Sequence, residues 1–231
     1  MRRTKVSLAC LAALWLVGGA AFGGQDAKEA AKGRESELLA VLKSSSSEKD
    51  KADACLELAR IGTKDSVAPL AALLGDEKLA HMARYALEPI PDASVDDALR
   101  DALGKLQGRP LIGVIGSIGV RRDVKAVDSL CKRLKDQDEG VVQAAARALG
   151  SLGTAAAVKP LEDALAGTPA VNQDAFYEGL FRCAEGLSAC GQPTAALAIY
   201  DRLNQPQTPR QVRDGASRKA RILRQEKGMT I

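Results

Sequence analysis

The chain has one histidine, His81, and five cysteines, at positions 10, 55, 131, 183 and 190. A metal centre needs several such ligands converging at fixed spacing, and neither a second histidine nor a Cys-x-x-Cys pair is present. A thiol nucleophile needs a nearby base, and His81 lies about three structural units away from Cys183 along the chain. Asp92, Asp96, Asp97 and Asp101 form a run of carboxylates. The last three read as the solvated face of a helix and Asp92 as a loop residue, rather than as an acid–base pair. Gly113, Gly116 and Gly119 could suggest a phosphate cradle, but they recur at every third position inside an apolar stripe. No strand precedes them and no Lys-Ser/Thr follows. No catalytic residue, cofactor or metal ligand is therefore expected.

The chemistry that remains is recognition by charged side chains. The candidates for partner contact are Asp97, Asp101, Arg121, Arg122, Asp128, Lys132 and Asp163. Arg121 and Arg122 either pair with carboxylates of neighbouring units or meet a partner. Asp123 is placed to cap the helix that follows them.

The elements that must position these residues repeat. Residues 138–166 read as a complete helical hairpin. Val142, Ala145, Ala146, Leu149 and Leu152 form one apolar stripe at spacings of three and four. Gly153 then stops the helix, because glycine enters the left-handed C′ position cheaply. Val158, Leu161, Ala164 and Leu165 give a second, shorter stripe. The end of the first helix recurs as Leu58…Ile61-Gly62, Leu87…Ile90-Pro91, Ile115…Ile118-Gly119, Leu149…Leu152-Gly153 and a degenerate Leu187…Cys190-Gly191. The second apolar positions are spaced by 29, 28, 34 and 38 residues. Second-helix signatures follow at Leu70-Ala-Ala-Leu73-Leu74, Leu99-Arg-Asp-Ala102-Leu103, Leu130 with Leu134, and Leu161-Glu-Asp-Ala164-Leu165. No single hairpin can bury its stripe alone, but a stack of them can.

These copies resemble the HEAT-repeat family, in particular its short bacterial units of the kind shared with PBS lyases. The resemblance covers residues 35–168 well and the rest more loosely. It implies an all-α fold, a right-handed α-α solenoid of about five hairpins over 37–207. It also implies a concave face lined by the second helices, where a protein or peptide would bind. Aligned on their leucines, those helices place Ala72, Asp101, Lys132 and Asp163 in one column and Ala68, Asp97, Asp128 and Lys159 in another. The alternating signs predict mutual neutralisation rather than a trap for nucleic acid. The alternative is an accessory subunit or a HEAT-like lyase with a small-molecule ligand. Some relatives handle bilins and others remove damaged bases, but the nucleophile or the aromatic, basic lining that either needs is not found here. Self-assembly is a third reading, because the last hairpin is incomplete.

Residues 1–23 read as a secretory signal peptide. Met1-Arg-Arg-Thr-Lys is basic, Val6–Val17 is apolar, and Ala21 and Gly23 suit a cut before Gly24. The apolar run is shorter than the roughly 20 residues that span a bilayer, so no stable membrane insertion is expected after cleavage. The chain is expected to be exported, periplasmic or extracellular. Removing Arg2, Arg3 and Lys5 leaves 30 basic and 29 acidic side chains, a net of about +1. The basic balance that would suggest nucleic acid mostly goes with them.

Residues 24–36 read as a flexible polar lead-in, either loose or partly helical, with a capping helix from Glu37 to Lys43. Asp65 and Ser66 are placed to cap a helix starting near Val67. The last hairpin, 169–207, resembles a tetratricopeptide half-repeat in Gly191-Gln-Pro-Thr-Ala-Ala-Leu-Ala-Ile-Tyr. Residues 208–231 form a basic helix with an apolar stripe of Val212, Ala216, Ala220 and Leu223. It is either a polar cap or a docking helix for an acidic partner or membrane surface. Cys183 and Cys190 sit about 10 Å apart by helical rise, beyond bridging distance, and the cysteines read as small buried apolar residues.

Overall fold

The computed structural model describes residues 22–226 and Gly228. Residues 1–21, which hold nearly all of the expected signal peptide, lie outside the described residues. Among the described residues there is no strand, and the helices run as α1 Phe22–Lys43, α2 Glu48–Ile61, α3 Lys64–Ala71, α4 Ala80–Leu87, α5 Ala93–Lys105 and α6 Gly108–Arg121. They continue as α7 Val127–Arg133, α8 Glu139–Leu152, α9 Ala155–Ala166, α10 Asp174–Ala189, α11 Pro193–Leu203 and α12 Arg210–Glu226. Short 3-10 turns precede α7 and α10.

The chain is an α-α solenoid. The first helices of successive hairpins stack in one row, α2 on α4, α4 on α6, α6 on α8 and α8 on α10. The second helices form the other row, with α1, α3 and α5 in sequence and α7 against α9. The repeating aliphatic positions fill the seam between the rows. Leu58, Leu87, Ile115 and Leu149 are fully buried, each stabilising the stack by roughly 1.5–3 kcal/mol relative to exposure. The degenerate copy departs from the pattern, because Cys190 is exposed.

Gly153 takes the left-handed conformation at φ 65° that ends α8, as its position predicts. At the end of α6 the same role falls to Arg122, a non-glycine residue at φ 54°. Gly119 is instead buried inside α6 against Ala148 of α8, where a Cβ would lie 3.1 Å from the Ala148 Cα. Close helix approach accounts for Gly119 but not for Gly116, which meets nothing within 4 Å.

Two expectations need correction. Residues 24–36 are not a loose lead-in, because α1 is continuous from Phe22 to Lys43. Its Glu35 is buried and accepts hydrogen bonds from the Thr63 backbone N–H at 2.7 Å, the Thr63 hydroxyl and the Ser66 hydroxyl. A carboxylate on α1 thus holds the N-terminus of α3, where unpaired N–H groups and the helix dipole favour negative charge. The cap of α3 is accordingly Thr63, and Ser66 is buried inside the helix.

At the other end, α12 lays Ala216, Ala220 and Leu223 into the stack. Lys219 pairs with Glu185 at 2.6 Å and Arg224 with Asp201 at 2.7 Å. Its apolar stripe is occupied by its own protein, which removes the face that a membrane-docking helix would use.

Candidate functional site on the second-helix row

The ends of α7 and α9 and the turns after them enclose a groove of about 830 Å³. Lys132 and Lys135 stand on one wall, Asp163 and Ala164 on the other, with Cys131, Leu134 and Pro160 forming the floor and sides. Helix α7 is short because Leu134 closes it with a 3-10 bond to Cys131, and Asp136 then accepts from the Asp138 N–H to turn the chain into α8. Helix α9 carries Pro160 in its interior. Proline donates no hydrogen bond and crowds the preceding turn. Pro69 occupies the same place in α3, within the shared pattern Val-x-Pro-Leu at 67–70 and 158–161. That repeat was legible in the sequence and marks the wall of the groove.

The structure brings Lys132 and Asp163 to one groove. Asp97, Asp101 and Asp128 are exposed on the same row of helices, outside it. The expected neutralisation across repeats is not what the geometry shows. Asp163 is paired along its own helix by Lys159 at 2.9 Å, and Asp101 by Lys105. Asp97 pairs with Arg100. A partner four residues away on a helix is nearer than one on the next repeat, so the acids are satisfied locally. Among the described residues no ion pair engages Lys132 or Lys135, which leaves the groove locally positive. The charge columns did not reveal this, because they omitted Lys105 and Lys135 and set Lys159 in a different column from Asp163, its partner on α9.

Arg121 and Arg122 part company. Arg121 is inside the joint between α4, α5 and α6, its side chain 12% exposed and paired with Asp96. Its guanidinium also donates to the carbonyls of Glu88 at 2.9 Å, Ile90 at 2.8 Å and Asp92 at 3.2 Å. Pro89 and Pro91 prevent α4 from continuing, so the chain there presents carbonyls with no helical donor. Arg121 supplies the donors, a structural role. Arg100 joins the same region by pairing with buried Asp123, which caps the turn before α7 through the Lys125 N–H at 3.1 Å. Arg122 is exposed on the opposite row, beside a shallow groove formed by α6, α8 and α10.

Other reactive groups are placed unfavourably for catalysis. Burial pushes the Cys55 thiol up to about 11 and the Cys183 thiol up to about 12, and burial with the nearby Asp128 charge raises Cys131. Such thiols stay protonated near neutral pH. Among the described residues, no group of three His, Cys, Asp or Glu side chains could hold a metal ion. Among them, no helix is long and apolar enough to cross a membrane.

Residues 97–180, from α5 to α10, match the family model of HEAT repeats. A crystal structure of an engineered protein is 19% identical, with a TM-score of 0.48, covering 83% of this chain and 96% of that one. No curated protein matches the chain.

Proposed function

We propose that the chain, whose residues 97–180 match the HEAT-repeat model, is an exported, non-catalytic scaffold that binds a protein or peptide segment along its second helices. The observation that carries the reading is the groove between α7 and α9, where Lys132 and Lys135 have no ion-pair partner among the described residues and stand beside Leu134, Pro160 and Ala164. Solenoids bind extended segments along such rows. An extended segment with an acidic residue next to small apolar ones would complement this surface in both charge and polarity. Support for export comes from the order of residues 1–23, basic, then apolar, then small.

The test is affinity capture of the tagged mature protein from an envelope fraction, beside the double variant Lys132→Glu, Lys135→Glu and the opposite-row control Arg122→Glu. A partner lost with the groove variant and kept with the control supports the reading. A partner indifferent to the groove variant, or lost only with the control, contradicts it. The mass of the protein recovered from that fraction tests export, with cleavage before Gly24 as the expected result.

A further inference from the structure

Arg84 is a half-buried arginine whose guanidinium makes no direct ion pair among the described residues. The comparable arginines are all engaged: Arg100 by Asp123, Arg121 by Asp96 and Arg133 by Asp136. Among the described residues no hydrogen bond or ion pair satisfies Arg84. Its side chain leaves α4 and lies across the α6 backbone at Gly113, where an added Cβ would overlap the guanidinium. Burial pushes its pKa below the usual arginine value, and the Glu88 charge opposes this only in part. One oxygen of Glu88 accepts a 2.7 Å hydrogen bond from the Ser117 hydroxyl, and Glu88 makes no hydrogen bond or ion pair with Arg84 among the described residues. A partly desolvated cation with no hydrogen-bonded counter-ion carries a free-energy cost that a bound anion would reduce.

Arg84 lines a pocket of about 640 Å³ between the starts of α4 and α6. Lys78, His81 and Arg109 stand around it, and Glu77 is the carboxylate on its wall. Lys78 is neutralised by Glu48 at 2.9 Å. Helix α6 begins at this pocket, and the Gln107 side chain does not cap it.

We propose that this pocket binds a small oxyanion, a phosphate or carboxylate group, gripped by the Arg84 guanidinium and closed from the rim by Arg109. A planar fork of donors matches either group in two parallel hydrogen bonds. The site lies on the first-helix row, away from the α7–α9 groove, so it stands or falls independently of the scaffold reading.

Calorimetric titration with inorganic phosphate, and in a second arm with triglutamate, tests it at constant ionic strength set with chloride. The wild-type protein binds at least one probe saturably, and that probe raises its melting temperature through mass action. A response to phosphate alone or to triglutamate alone identifies the source of the oxyanion. Arg84→Gln weakens binding by roughly ten- to a hundredfold, the loss expected for a charge-assisted pair. Arg109→Glu, at an exposed position that leaves the fold intact, weakens it as well and keeps the test valid should Arg84→Gln fold poorly. No saturable binding of either probe, or wild-type affinity retained in the variants, overturns the proposal.

Discussion

Gly150 of α8 and Gly179 of α10 face each other so closely that a Cβ on Gly150 would lie 2.5 Å from the Gly179 Cα. The contact continues along the two helices. A Cβ on Gly179 would meet the Ala146 carbonyl oxygen at 2.6 Å, and one on Gly186 the Gly153 Cα at 2.8 Å. Backbone meets backbone here, so nothing flexible can move aside. Gly150→Ala would gain about 1 kcal/mol of helix propensity and lose about 1–3 kcal/mol to overpacking. Steric cost wins, and thermal or urea unfolding should show Gly150→Ala to be less stable than wild type. Gly116→Ala is the matched control. Its Cβ meets nothing, so that variant should be more stable by about 0.5–1 kcal/mol.

Glu35 makes stability fall in acid. Burial alone would raise its carboxyl pKa, but hydrogen bonds from Ser66 and Thr63 prevail and hold it below the ordinary 4.5. A carboxyl whose folded pKa is depressed contributes stability that is complete above the unfolded value and is lost as pH falls through the folded one. Urea midpoints should therefore decline below about pH 4.5 more steeply in wild type than in Glu35→Gln. The variant should also be less stable at pH 7. Parallel pH profiles would show that Glu35 does not hold α3.

Arg121 should matter for folding and not for partner binding. Arg121→Met leaves Asp96 without its cation and the carbonyls of Glu88, Ile90 and Asp92 without their donor. Breaking a largely buried pair on one side costs about 3 kcal/mol. Arg121→Lys retains charge but has no fork and should recover only part of the loss. Denaturant titration measures both, and capture of the partner by whatever fraction stays folded should be unchanged.

The thiols should separate into classes under an alkylating reagent. Cys190 is exposed, Cys131 is half-buried, and Cys55 and Cys183 are buried with raised pKa values. Mass spectrometry of the native protein should show Cys190 modified first, with Cys55 and Cys183 modified only on unfolding. Early modification of Cys183 would contradict the packing of α8 on α10, where its Sγ lies 3.7 Å from the Leu149 carbonyl oxygen.

The hairpin repeat was legible because Leu58, Leu87, Ile115 and Leu149 do one job, burial, and burial leaves a periodic trace. Gly153 was legible because the left-handed conformation selects glycine. Glu35 was not, since a single buried carboxylate in a polar run looks like a solvated one until α3 is docked against it. Arg122 in the left-handed conformation, with Gly119 used instead for packing, also has no local signature. In the candidate groove, Lys132, Asp163 and Lys159 followed from the alignment of second helices, whereas Lys135 depended on how α7 ends, and the pairing of Lys159 with Asp163 crossed between the two aligned columns. Electrostatics along the groove is a property of side-chain partners, and the column of charges could not rank an in-helix partner above one on the next repeat.

The central claim is that recognition occurs on the second-helix row. Hydrogen–deuterium exchange of the mature protein, alone and with its captured partner, tests it most directly. The account predicts added protection at residues 127–135 and 155–168, with α6, α8 and α10 unchanged on their opposite face. Protection confined to the segment around Val120 and Arg122, or to α12, would contradict it.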